Sequence, residues 1–228
     1  MKSRIIAILT VSLILAAGAP SFAQVLGENL KLFVGYSNLQ AEGLGSKNNN
    51  LPGILDTSFF NDRTTLHGGN AELTFALKGI GVTGDASFDR RHKANDFTGG
   101  HDFNNTDLAY FMAGPSFAYA GHSKVEPFAR VMAGVAHTRF EVGHTDTSTA
   151  TTLSLADATT NFAMGIGGGL DVRFGEGPYR LRLIQVDYLP VFLTDKVVSF
   201  RDAFGALQQT SLQKQRLNNV RFSFGFVF

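Results

Sequence analysis

The sequence predicts an all-β chain: an eight-stranded antiparallel up-and-down transmembrane β-barrel behind a cleaved N-terminal signal peptide. Three observations predict it. The first residues have the layout of a secretory signal. The remainder alternates apolar and polar residues with period two, and helical periodicity is almost absent. The connections between alternating runs are in turn long and short, which gives the two ends of the sheet different surroundings.

Composition limits the alternatives. A length of 228 residues suits one domain, and a formal net charge of +1 leaves no electrostatic footprint for nucleic acid. The absence of Cys excludes disulfides, thiolate metal sites and cysteine nucleophiles. Apolar residues at 44% and charged residues at 17% are not the profile of a disordered chain. The oddity is 21 Phe with no Trp.

Residues 1–23 form the export signal. Lys2 and Arg4 precede an apolar run from Ile5 to Ala19, and Ser21-Phe22-Ala23 places small residues for cleavage after Ala23. The run is short of the roughly 20 apolar residues of a spanning helix. No Cys follows the cleavage point, so a lipid anchor is excluded. Residues 24–228 then form a single barrel domain.

The strands follow in order. Leu30, Leu32, Val34 and Tyr36 oppose Lys31, Phe33, Gly35 and Ser37. Ala71, Leu73, Phe75 and Leu77 oppose Asn70, Glu72, Thr74 and Ala76; Lys78-Gly79 then turns the chain into Val82, Gly84, Ala86 and Phe88 against Thr83, Asp85 and Ser87. In 107–120 Phe111, Ala113, Phe117 and Tyr119 face outward, with a bulge expected at Pro115, which lacks a ladder donor. Val125, Ala129, Val131, Ala133 and Val135 oppose Glu126, Phe128, Arg130 and Met132. Phe162, Met164, Ile166, Leu170, Val172 and Phe174 oppose small residues, Asp171 and Arg173. In 179–190 a bulge near Leu183 places Leu181, Leu183, Ile184, Val186 and Tyr188 outward and turns Arg180, Arg182, Gln185 and Asp187 inward. The last run is the clearest: Val220, Phe222, Phe224, Phe226 and Phe228 share one face, while Asn219, Arg221, Ser223, Gly225 and Val227 share the other.

The long connections are 40–63, 89–106, 141–160 and 191–213, rich in Asn, Asp, Thr, Ser, Gly and His. The short ones are Lys78-Gly79, Gly121-His122-Ser123-Lys124 and Gly175-Glu176-Gly177-Pro178. Four Phe on one face of the last strand exceed a small barrel's share of interior volume. The opposite faces collect charges of both signs, which can pair in a narrow lumen. The apolar face therefore points out to lipid, and closure satisfies every backbone group there. The expected lumen charge network is Lys31, Glu72, Asp85, Glu126, Arg130, Asp171, Arg173, Arg182, Asp187 and Arg221.

A signal peptide, eight alternating strands and the ending Val220-Arg-Phe-Ser-Phe-Gly-Phe-Val-Phe228 resemble the OmpA-type small outer-membrane barrels of Gram-negative bacteria, over the whole mature chain. Gly165–Asp171 and Leu183–Tyr188 also resemble strand segments of such proteins. The resemblance implies that Phe222, Phe224, Phe226 and Phe228 form the assembly signal read by the barrel-assembly machinery. It also implies a bacterial outer-membrane location, with outer-membrane lipid and lipopolysaccharide as surroundings. Two departures stand out. The chain stops at its last strand, so peptidoglycan anchoring is not implied, and without Trp any aromatic girdle rests on Tyr and Phe.

Other motifs have plainer readings. Gly165-Ile-Gly167-Gly168-Gly169 lacks the spacing of a dinucleotide loop and no helix pattern follows. His67, His92, His101, His122, His137 and His144 show no metal-ligand spacing, and the Asp/Asn-rich 95–107 does not fit a calcium loop. Lipid-A deacylase barrels are similar in size but use a His-x-Ser pair; here His122 is followed directly by Ser123. The expectation is a non-enzymatic, monomeric outer-membrane barrel with no cofactor, metal or nucleic-acid partner. Its role is structural or surface interaction through the four loops, with any extracellular ligand bound there. The alternatives are a small porin-like channel and an outer-membrane lipid-modifying enzyme.

Overall fold

A computed structural model describes residues 29–43, 63–77, 79–98, 100–119, 124–146, 151–174, 177, 179–201, 206–212 and 214–228. The signal peptide and most of the 40–63 connection lie outside these residues. The strands are β1 (Leu30–Ala41), β2 (Thr64–Leu77), β3 (Ile80–Phe97), β4 (Gly100–Ala118) and β5 (Val125–Asp146). They continue with β6 (Thr151–Arg173), β7 (Arg180–Leu193), β8 (Lys196–Arg201), β9 (Leu207–Leu212) and β10 (Gln215–Val227). Eight of them close a barrel in the order β1-β10-β7-β6-β5-β4-β3-β2, each antiparallel to its neighbours. Among the described residues, strands β8 and β9 pair only with each other, as a hairpin inside the 191–213 connection.

Closure follows from hydrogen-bond accounting, since an open edge in hydrocarbon leaves backbone groups unsatisfied. The seam joins the first and last strands of the barrel: Phe33 pairs with Val227, and Phe228 exchanges backbone hydrogen bonds with Leu32 at 2.8 and 3.0 Å. The outer wall is apolar all round, with Leu73, Phe75, Val82, Phe111, Phe117, Ile166, Phe224 and Phe226 exposed. A continuous apolar belt of this extent is incompatible with water and suits lipid.

Four expectations are corrected. The connections 89–106 and 141–160 are largely strand: β3 and β4 run on to Phe97 and from Gly100, and β5 and β6 on to Asp146 and from Thr151. Past the apolar belt both faces meet water, so hydropathy stops alternating while backbone pairing continues. The third departure is at Pro115. It carries no bulge, because β3 and β4 hold one register from Ile80↔Phe117 to Phe97↔Gly100, with Val82 opposite Pro115. Finally, the lumen is not polar along its whole length. Toward the loop end Leu39, Leu66, Leu108, Leu189, Val191 and Leu217 point inward and form a buried apolar layer. The bulge in 179–190 is present. Its register shifts between Ser223/Gly225 and between Leu170/Asp171, and Leu183 and Ile184 are both exposed.

Candidate functional site

Inward parity puts one or two charged residues from each of six strands into the turn-end half of the lumen. Strand β2 supplies Glu72, β3 Asp85, β5 Arg130, β6 Asp171, β7 Arg182 and Asp187, and β10 Arg221, all buried. Arg130 bridges three carboxylates: Glu72 at 2.7 Å, Asp85 at 3.1 Å and Asp187 at 2.8 Å. Arg221 donates to Asp85 at 2.7 Å and to Asp187 at 3.0 Å. Arg182 donates to Asp171 at 2.7 Å and to Glu72 at 2.5 Å. The amide of Gln185 ties the two groups together, donating to Glu72 and Asp187, each at 2.8 Å. Nearer the turns, Lys31 and Arg180 both donate to Glu126.

Nine of the ten residues assigned to the lumen network from sequence therefore meet there. Arg173 does not. It is the last residue of β6 and is exposed, because beyond the closed wall a charge keeps its water without needing a partner. Sequence reasoning missed the aromatic support: the Arg182 guanidinium lies 4.2 Å from the centroid of Phe33 and 4.1 Å from that of Phe128. Those two Phe sat on an otherwise polar face, which was the available signal.

The Arg130, Arg182 and Arg221 side chains cross the lumen between strands, and the buried apolar layer lies on their loop side.

The loop end is built differently. Outside the apolar belt, cross-strand polar pairs replace apolar contact. Arg90 forks onto Asp107 at 2.6 and 3.1 Å, His101 contacts Asp96, and Asn105 donates to Glu141 at 3.4 Å. Lys196 of β8 donates to Asp157 at 2.6 and 2.7 Å and to the Ala158 carbonyl at 3.1 Å, which docks the β8–β9 hairpin on β6. Glu42 accepts from the Asn218 backbone and side chain at 2.5 and 2.8 Å, tying the end of β1 to β10. Histidines occur in separate pairs: His67 with Tyr36 at 2.5 Å, His92 with Asp107 at 3.8 Å, and His137 with Thr160 at 2.8 Å. Among the described residues none of these joins a hydroxyl, an imidazole and a carboxylate in one relay, and no group of three or more His, Asp or Glu could hold a metal.

No family profile and no curated protein matches the sequence. Solved structures do. The outer membrane protease OmpT from Escherichia coli superposes with a TM-score of 0.51 at 8% identity, covering 89% of this chain and 97% of that one. A major outer membrane protein from Thermus thermophilus gives a TM-score of 0.50 at 13% identity, covering 87% and 98%. The fold is that of the bacterial outer-membrane β-barrels. Neisserial surface protein A is also similar, with a TM-score of 0.47 at 9% identity over 88% of this chain and 96% of that one. At these identities the likeness is one of fold.

Proposed function

We propose that this chain is an integral outer-membrane barrel that acts without catalysis, by displaying its loop-end sheet at the cell surface for structural or adhesive contacts. The observation that carries this reading is the division of the molecule. The lumen is occupied by an ion-pair lattice and an apolar layer, whereas β3, β4, β5 and β6 extend past the apolar belt as a four-stranded polar sheet. Surface function in such folds resides on what the scaffold projects. The outward belt supports residence in a membrane. The ending at Phe222, Phe224, Phe226 and Phe228 supports recognition by the barrel-assembly machinery, and outer-membrane lipid and lipopolysaccharide are the surroundings that follow.

Shortening both projecting hairpins, by joining Arg90 to Asp107 and Thr138 to Thr159 through tight turns, tests the role. The shortened barrel is expected to reach the outer membrane at wild-type level while cells lose attachment to their surface partner. Unchanged attachment contradicts the reading. In planar bilayers the intact protein is expected to give no single-channel steps; reproducible steps favour the channel alternative instead.

A further inference from the structure

Three cations stand side by side at the turn end of the wall. Lys124, the residue before β5, faces Arg173, the last residue of β6, one step beyond the pairing of Val125 with Val172. The Arg173 backbone N–H donates to the Lys124 carbonyl at 2.9 Å. Arg173 in turn pairs with Arg180, the first residue of β7. The row therefore crosses three neighbouring strands, each about 4.8 Å from the next.

Like charges directly opposite one another destabilise a sheet, and nearby acids do not offset this row. Arg180 shares Glu126 with Lys31, while Lys124 and Arg173 are exposed and form no ion pair among the described residues. These four cations thus meet one carboxylate. In sequence the adjoining segments add Lys78, Glu28 and Glu176, so five cations still face three acids.

A second, independent observation is what flanks the row. Phe174 follows Arg173 and Tyr179 precedes Arg180; the Phe174 N–H donates to the Tyr179 carbonyl at 3.5 Å, and both side chains are exposed. Tyr119, just past β4, is exposed too, and its N–H donates to the Pro127 carbonyl at 2.9 Å. Exposed Tyr and Phe at the end of a lipid-facing wall mark the level where hydrocarbon gives way to headgroups. Cations and aromatics alternate along the same strand ends, which puts the charges at headgroup level. From there flexible Lys and Arg stems reach a phosphate beside the wall, and both head types bind phosphate.

We propose that Lys124 and Arg173, with Arg180 beside them, bind the headgroup phosphate of one anionic phospholipid in the leaflet at the turn end. The lipid supplies the counter-charge that the row lacks, and its chains lie along the apolar side of the same strand ends. A zwitterionic headgroup brings its own cation and leaves the excess in place. The site rests on residence in a membrane and is independent of what the loop end contacts.

The test is native mass spectrometry of the full chain released from detergent micelles, titrated with phosphatidylglycerol and, separately, with phosphatidylcholine. The wild type is expected to take up its first phosphatidylglycerol more tightly than phosphatidylcholine. Arg173→Gln and Lys124→Gln are each expected to reduce that preference about fivefold, the effect of one cation at an anionic lipid surface. Arg139→Gln removes an exposed cation at the loop end and is expected to leave the preference unchanged. Equal uptake of the two lipids by the wild type, or an unchanged preference in both turn-end variants, overturns the proposal. So does an equal loss in Arg139→Gln, because the lipid then answers to surface cations in general. Inorganic phosphate at the concentration of the lipid is expected not to displace it; full displacement makes the bare anion the ligand and overturns the lipid site. Folding of each variant is checked by heat-dependent gel mobility, and should one turn-end variant not fold, the other carries the test.

Discussion

Arg130 is the residue on which most of the lumen turns, because its fork reaches Glu72, Asp85 and Asp187 on three different strands. A buried ion pair adds little over a well-packed apolar substitute, but removing one partner leaves the other charge stranded. Arg130→Met is therefore expected to cost about 3–5 kcal/mol of stability, read from reversible urea unfolding in vesicles. A loss of less than about 1 kcal/mol, the range of exposed pairs, would show that the lattice is wet. Parity in the sequence placed Arg130 and its partners on the inward face without revealing which acid meets which base. That choice depends on barrel closure, which brings together residues as far apart as Asp85 and Arg221. Arg173 obeyed the same parity yet faces solvent, because parity does not mark where the wall ends.

At the level of elements, β7 shows how one extra residue settles two faces. Leu183 and Ile184 both point outward, while Arg182 and Gln185 on either side point in. Leu183 is the residue left over against β6, where Leu170 opposes Ile184 and Asp171 opposes Arg182. Deleting Leu183 removes the bulge and leaves a regular alternation with Arg180, Arg182, Gln185 and Asp187 still inward. The deletion is expected to fold, as judged by the heat-dependent gel mobility of the intact barrel. Deleting Ile166 from the regular part of β6 inverts every side chain on one side of the cut and is expected to abolish that folded band. This bulge was legible because two apolar parities met within one strand. The strand extensions of β3–β6 were not. Asn, Asp, Thr and His read as loop chemistry, yet cross-strand pairs such as Arg90 with Asp107 suit a sheet wetted on both faces. The inward apolar layer was hidden for the opposite reason. In Leu189-Pro190-Val191-Phe192-Leu193 both faces are apolar, so no alternation remains to be read.

On the scale of the whole molecule, the 21 Phe and the near-neutral charge have one explanation. Among the described residues most phenylalanines lie on the outer wall, where lipid accepts them, and most buried acids and bases are paired inside, where an unmatched charge is costly. Fold class, strand order and facing all follow from period-two alternation together with the need to close. The role at the surface does not, since it depends on chemistry projected beyond the belt. The most direct check of this inside-out organisation uses the absence of native cysteine, which makes every introduced one unique. Single cysteines placed in turn at residues 222 to 226 of β10 carry a spin label, and the protein is reconstituted in lipid vesicles. Collision rates with oxygen and with a water-soluble nickel chelate are then measured at each site. Labels at Phe222, Phe224 and Phe226 should be rich in oxygen collisions and poor in nickel collisions, and labels at Ser223 and Gly225 should not be oxygen-rich. If the labels at Phe222, Phe224 and Phe226 instead collide freely with the nickel chelate, the apolar wall does not face lipid and the barrel does not span a membrane.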